Sequence, residues 1–168
     1  MNFERLIRNW HSQVIEQPDY FAKFVFEYLA FIAYLKRIKH FQGDDRSTIE
    51  QLKQDSNTQR QYSKVIERDP ELQQTWHTVI SELSRCPIKN VSRPNQLSLH
   101  WRGNVAGVIN SVDDWSNIIE FWYTIRNNLF HGDKDPESER DMLMAQYGYS
   151  TLAPLIAVFV NKLDLERQ

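Results

Sequence analysis

Apolar residues along the chain recur three and four positions apart, the spacing of a single helix face. Phe3, Leu6, Ile7, Trp10 and Val14 predict a first helix from Asn2 to about Gln17, broken by Pro18. Asp19 is placed to begin a second, which runs from Tyr20 to Phe41 through Phe21, Phe24, Val25, Tyr28, Leu29, Ile32, Leu35 and Ile38. Phe26, Phe31 and Tyr34 widen its apolar surface almost around the cylinder, as in a central or interface helix. Lys36, Arg37, Lys39 and His40 suit the negative end of its dipole, and Gly43 is the expected stop. Ser47-Thr48-Ile49-Glu50 reads as a capping box opening a polar, Gln-rich third helix to about Glu67. Asp69-Pro70-Glu71 opens the next, which buries Leu72, Trp76, Val79, Ile80 and Leu83.

The period is lost between Arg85 and Asn110, where Pro87, Pro94, Gly103 and Gly107 collect; a long ordered loop is expected. Ser111-Val112-Asp113-Asp114 resembles another helix start, followed by an apolar stripe of Trp115, Ile118, Ile119, Trp122, Ile125 and Leu129. Gly132 is the stop. Asp135-Pro136-Glu137 begins a last helix to about Leu163, with Gly148 and Pro154 inside it predicting a kink or short break. The expected fold is all-α: one domain over residues 1–168, an antiparallel bundle of about five to six helices with one long loop.

Composition supports that class. Glycine and proline together number only 11 of 168 residues, too few for the turns of a sandwich or barrel, while 21 aromatics can fill a core. Twenty Lys and Arg against 22 Asp and Glu leave a net charge of −2, which argues against a general nucleic-acid coat. The charge is uneven, because no acid lies between Glu82 and Asp113, where Arg85, Lys89, Arg93 and Arg102 stand. A lone Cys86 cannot form an internal disulfide, implies a reducing compartment, and is expected as a small buried residue. The apolar runs Tyr28–Leu35 and Leu152–Val160 are far shorter than the ~20 residues of a membrane span, and the start lacks a signal-like apolar stretch. The reading is a soluble, cytoplasmic protein with no membrane association.

Standard sites are missing. The histidines at 11, 40, 77, 100 and 131 are never paired at ligand spacing, so no metal is expected. There is no P-loop and no nucleophile elbow, and no cofactor is implied. Gly103-Asn104-Val105-Ala106-Gly107 reads as a turn, and Asp44-Asp45 and Asp113-Asp114 as helix caps. What remains is Ile125-Arg126-Asn127-Asn128-Leu129-Phe130-His131-Gly132. It joins a permanently charged guanidinium, able to hold a phosphate by two hydrogen bonds, to an imidazole, the side-chain type suited to taking or giving a proton at neutral pH. Arg126 and His131 are five positions apart, so about 140° around one helix and ~7.5 Å along it. Asn127 and His131, four apart, share a face. From spacing alone the stretch also fits a helix-face ion pair and a histidine at a helix C-terminus.

Arg126-Asn127-Asn128-Leu129-Phe130-His131 resembles the Arg-polar-x-x-x-His signature of HEPN domains, and the polar stretch Gly132 to Asp141 resembles the loop leading into their last helix. The close likeness covers about Trp122 to Asp141, and the helical plan agrees over most of the chain. The resemblance implies a dimeric, metal-independent endoribonuclease, a toxin or phage-defence effector. Arg126 would neutralise the scissile phosphate, His131 would serve as general base or acid, and Asn127 would orient His131 or the phosphate. A two-fold interface would supply two copies of the motif to one cleft, and a cognate antitoxin is a possible partner. Asn128, Lys134, Arg102 and Trp101 are candidate RNA contacts; Trp101 could stack on a base or anchor its loop in the core. Some members carry a modified tyrosine two residues after the histidine; Asp133 stands there in this chain. The competing reading is a non-catalytic helical module that binds a protein partner or nucleotide.

Overall fold

The computed structural model describes residues 2–90, 99–131 and 138–165. They form seven α-helices and no strand: α1 Phe3–Gln13, α2 Tyr20–Arg37, α3 Asp45–Lys53, α4 Ser56–Arg68, α5 Pro70–Arg85, α6 Trp115–Phe130 and α7 Glu139–Leu165. A short 3₁₀ turn, Val14–Glu16, extends α1. The class is as expected, with one helix more than the apolar pattern predicts. The difference lies in the polar third segment, which divides at Gln54 and Asp55. Asp55 caps a new helix there by accepting from the Asn57 and Thr58 backbones.

Aspartate also shifts other boundaries. The Asp44 carboxylate accepts from Ser47 N–H at 2.8 Å and starts α3 at Asp45, ahead of the expected capping box. At α6, Asp114 precedes the first helical residue and makes no capping bond; its carboxylate holds Asn110 and Asn117 instead. α2 ends at Arg37, before Gly43, because His40 takes the left-handed conformation with φ 58°. Phe41 N–H then donates back to the Leu35 carbonyl at 3.0 Å, closing the helix end.

α2 packs against both α1 and α7, and α7 also contacts α5, α6 and α4. α7 is unbroken through Gly148 and Pro154, so of the expected kink or short break the break does not occur. Gly148 instead allows close approach: a Cβ added there would lie 2.8 Å from both Ile125 Cδ1 and Phe24 Cδ2. α7 is the one helix among the described residues long and apolar enough to cross a membrane, and Leu152, Leu155, Ile156 and Phe159 on it are buried in the bundle.

An aromatic cluster sets the position of α6. Trp115 and Trp122 meet edge to face, and Trp122 packs in turn on Tyr62, Trp76 and Phe31. Their polar atoms are satisfied within the core. Trp122 Nε1 donates to Thr151 Oγ1 at 2.9 Å, Trp115 Nε1 to the Leu52 carbonyl at 3.1 Å and Trp76 Nε1 to Tyr62 Oη at 3.1 Å. The bonds from Trp115 and Trp122 fix the rotation of α6 about its axis, and hence which way Arg126 leaves it. Cys86 is exposed, against expectation: it follows the last turn of α5, and its carbonyl accepts from Arg140.

Candidate functional site

Arg126 lies in the last turn but one of α6 and is half-buried. One guanidinium nitrogen donates to Asp45 Oδ2 at 3.0 Å and another to the carboxamide oxygen of Asn127 at 2.9 Å. The group sits 4.8 Å from the centre of the Phe130 ring. Nε is buried without a hydrogen-bond partner. Asp45 is held from its other side by Lys36 Nζ at 2.7 Å, so one carboxylate is clasped between two cations. The Tyr28 hydroxyl is likewise buried and unpartnered in this cluster. Burial pushes that phenol well above its ordinary value; the nearby Asp45 charge raises it further and Arg126 opposes.

His131 is the residue that ends α6. Its backbone N–H bonds to the Asn127 carbonyl at 3.0 Å, and its side chain is exposed, with no hydrogen-bond partner among the described residues. The two motif side chains therefore leave α6 in different directions, as a 140° separation requires, and they have no shared contact. Asn127 is buried, and its carboxamide oxygen serves Arg126 rather than the imidazole. Asn128 is also buried and donates to the Lys89 carbonyl at 2.8 Å, tying α6 to the loop that follows α5.

The remaining candidates separate. Trp101 is 7% exposed and packed in the core, so it anchors its loop and offers no stacking face. Asn117 brackets the next residue: Arg102 N–H donates to its Oδ1 at 2.8 Å, and its Nδ2 donates to the Arg102 carbonyl at 2.9 Å. The Arg102 side chain is exposed, as is Lys89, while Arg85 is paired with Glu82. Lys134, Asp133, Gly132 and Arg93 lie outside the described residues, as does the expected start of the last helix at Asp135-Pro136-Glu137.

A second charged cluster, not foreseen from the sequence, lies one and two turns back along α6. Glu120, on α6, accepts from Arg46 and Lys53, each at 2.5 Å, and Arg46 stacks 4.1 Å from the Tyr123 ring centre. Glu50 and His100 complete the group, and with Glu120 they bring three potential metal-ligand atoms within 4.8 Å of one another. The Lys53 ammonium already bridges those carboxylates, 3.0 Å from Glu50 and 2.5 Å from Glu120, so a divalent cation would have to displace a buried lysine. Burial works to raise the Glu50 carboxyl, and the bonds from Lys53 and Arg46 outweigh it and hold it below the ordinary range. The cluster is an ion network, buried at Glu120 and Lys53, that ties α3 to α6.

No family model, no curated protein and no solved structure matches the chain.

Proposed function

We propose that the protein is a dimeric, metal-independent endoribonuclease of the HEPN type, acting as a toxin or defence effector with a composite site built from Arg126 and His131. The observation that carries this reading is the arrangement at the end of α6. An exposed imidazole and a half-buried guanidinium belong to one six-residue motif, and a single chain holds them apart. Phe130, 51% exposed beside Arg126, gives the motif an apolar margin that a second copy would cover.

In the reaction, the ribose 2′-oxygen attacks phosphorus and the bond to the 5′-oxygen breaks, leaving a 2′,3′-cyclic phosphate. One His131 takes the 2′-hydroxyl proton and the His131 of the second copy gives a proton to the departing 5′-oxygen. Arg126 neutralises the charge that develops on the phosphoryl oxygens. Phosphate would exchange with the Asp45 carboxylate on Arg126, and Asp45 would keep Lys36 as its partner. An antitoxin masking this face is the partner the reading implies.

The second reading, a binding module without catalysis, is favoured by the engagement of Arg126 with Asp45 and by the structural bonds of Asn127 and Asn128. RNA cleavage separates the two. Arg126→Ala and His131→Ala are each expected to abolish cleavage with the helical circular-dichroism signal unchanged, and wild-type activity is expected to survive EDTA. Wild-type protein that leaves RNA intact, or variants that cut as fast as wild type, would overturn the nuclease reading. Only monomer in sedimentation at micromolar concentration would overturn the composite site.

A further inference from the structure

A cationic groove opens at the C-terminal end of α2. It has a volume of about 480 Å³ and is lined by Phe3, Lys36, Arg37, His40 and Phe41 among others. None of its lining residues is acidic, in a chain whose net charge is −2. Lys36 joins the groove to the motif. Its ammonium holds Asp45 Oδ1 at 2.7 Å, and Arg126 holds Oδ2 of the same carboxylate at 3.0 Å. The groove thus begins one carboxylate away from Arg126.

The fold makes little use of these cations. Arg37 is exposed and has no hydrogen bond or ion pair among the described residues. It rests 4.7 Å from the centre of the Phe3 ring, a contact that places the guanidinium and leaves its N–H groups to solvent. Lys36 spends one of its three donors on Asp45. Backbone donors close α2 without them: Tyr34 accepts from the Ile38 and Lys39 N–H groups, and Leu35 from that of Phe41. Asp44, within reach of the Lys36 charge, has its carboxylate engaged in capping α3. His40 adds an independent sign. Its φ of 58° is a left-handed conformation that glycine adopts freely and a residue with a Cβ adopts at a cost. The imidazole is exposed and has no partner among the described residues, so nothing in the fold accounts for a side chain there.

We propose that this groove holds the RNA strand beyond the cleavage point, with a phosphate next to the scissile one bound by Arg37 and His40 and the Lys36 ammonium between that phosphate and Arg126. The inference rests on the ribonuclease reading and names its substrate as a single strand of several nucleotides. A guanidinium presents two parallel donors to a phosphate, and an imidazole adds one more. The groove's volume suits a nucleotide of one strand, not a duplex. Cations that track the backbone hold a strand without reading its bases, so Arg37 and His40 are positioning residues that set which phosphate meets Arg126.

The full chain is titrated with fluorescein-labelled hexauridylate carrying 2′-O-methyl riboses, which supplies the phosphates and cannot be cut by its own 2′-oxygen. Anisotropy reads the binding at several salt concentrations. Arg37→Gln and His40→Gly are each expected to weaken binding at least about threefold. Arg37→Gln should also flatten the slope of log affinity against log salt by about 0.7, the loss of one phosphate contact. Arg60→Gln, which removes the same charge from the exposed face of α4, should leave the affinity unchanged. His40→Gly should hold Tm at or above the wild-type value, because it relieves the left-handed strain, so its loss of binding is not a loss of folding. Wild-type affinity in both groove variants, an equal loss in Arg60→Gln, or a wild type that does not bind the oligomer would overturn the proposal. Inorganic phosphate binding as tightly as the oligomer in calorimetry would overturn the strand in favour of a free anion. The two readings fail separately. Groove variants that bind normally while Arg126→Ala still abolishes cleavage strike the groove alone. Wild type that binds the oligomer through Arg37 and His40 yet leaves unmodified RNA intact strikes the ribonuclease reading alone.

Discussion

Replacing Glu120 with Gln removes the buried charge that faces Lys53, an ammonium that water does not reach. Glu120 is 1% exposed, and the Lys53 side chain beside it is 3% exposed. Glu120 Oε1 accepts from Arg46 and Lys53 at 2.5 Å each, and Oε2 lies 3.3 Å from the second Arg46 nitrogen. A surface ion pair is worth only about 0–1 kcal/mol, but removing one partner of a buried pair costs ~3–5 kcal/mol because the other charge is stranded. Glu50 moderates the loss. It stays 3.0 Å from Lys53 and 3.1 Å from Arg46, and Arg46 is exposed enough to turn toward solvent. The expected destabilisation therefore falls at the lower end, about 3 kcal/mol.

Urea unfolding followed by tryptophan fluorescence measures this directly, since Trp115 and Trp122 report the packing of α6. With a slope of about 2 kcal/mol per molar, the midpoint should fall by ~1.5 M with the slope unchanged. The double variant Lys53→Met, Glu120→Leu strands neither partner of the closest pair and should recover most of that loss, although neither single change does. A midpoint shift below about 0.3 M for Glu120→Gln, or strict additivity in the double variant, would refute the reasoning.

Gly107 has φ +84°, and a Cβ there would stand 2.1 Å from the Ile88 carbonyl oxygen. Gly107→Ala should therefore lower the unfolding free energy by at least about 2 kcal/mol in the same urea assay, with Gly103→Ala, whose added Cβ has room, costing less. The His11–Glu27 pair supplies a pH test. The bond from Glu27 raises His11 above its ordinary value of 6.5, so the stability it contributes is fully present below pH 6.5 and is lost as pH rises through the raised value. Glu27 is raised from 4.5 by its burial, so that part of the pair's contribution also fades with rising pH, starting from about 4.5. The Tm advantage of wild type over His11→Gln should accordingly be larger at pH 5.5 than at pH 8.5. An advantage that is constant across that range, or grows with pH, would contradict the assignment.

Where the apolar period is strong, the sequence marks the helices closely: Asp19 and Asp69 cap α2 and α5 as the pattern predicts, and Pro70 opens α5. It misleads where two local solutions compete. Ser47 and Asp44 both offer an oxygen to the first turn of α3, and the carboxylate, placed three residues earlier, takes it. In the Gln-rich stretch, Asp55 is one polar residue among many, and nothing in the period separates its capping role from a solvated helix face. Gly148 looks the same in sequence whether it breaks a helix or admits a ring. Only the packing of Phe24 and Ile125 against α7 decides, and those contacts are far apart along the chain.

The candidate site divides in the same way. Arg126, Asn127 and His131 were legible because their relation is local: 100° per residue places the guanidinium and the imidazole on different sides of α6 before any tertiary contact is known. Asp45 was not, because it reaches Arg126 from another helix and had a sufficient local explanation as part of a cap. Glu27 and Glu120 did leave a signal. Each is a lone carboxylate set within an apolar stretch, Glu27 between Phe24 and Phe31 and Glu120 between Ile119 and Phe121. A charge in such a position must either turn its face to water or find a partner inside. Which partner it finds, His11 from α1 or Lys53 from α3, depends on how helices cross, and amphipathic pattern does not specify that. The residues that surprise most here are thus the buried acids, whose presence a single sequence announces and whose purpose only the packing of the helices reveals.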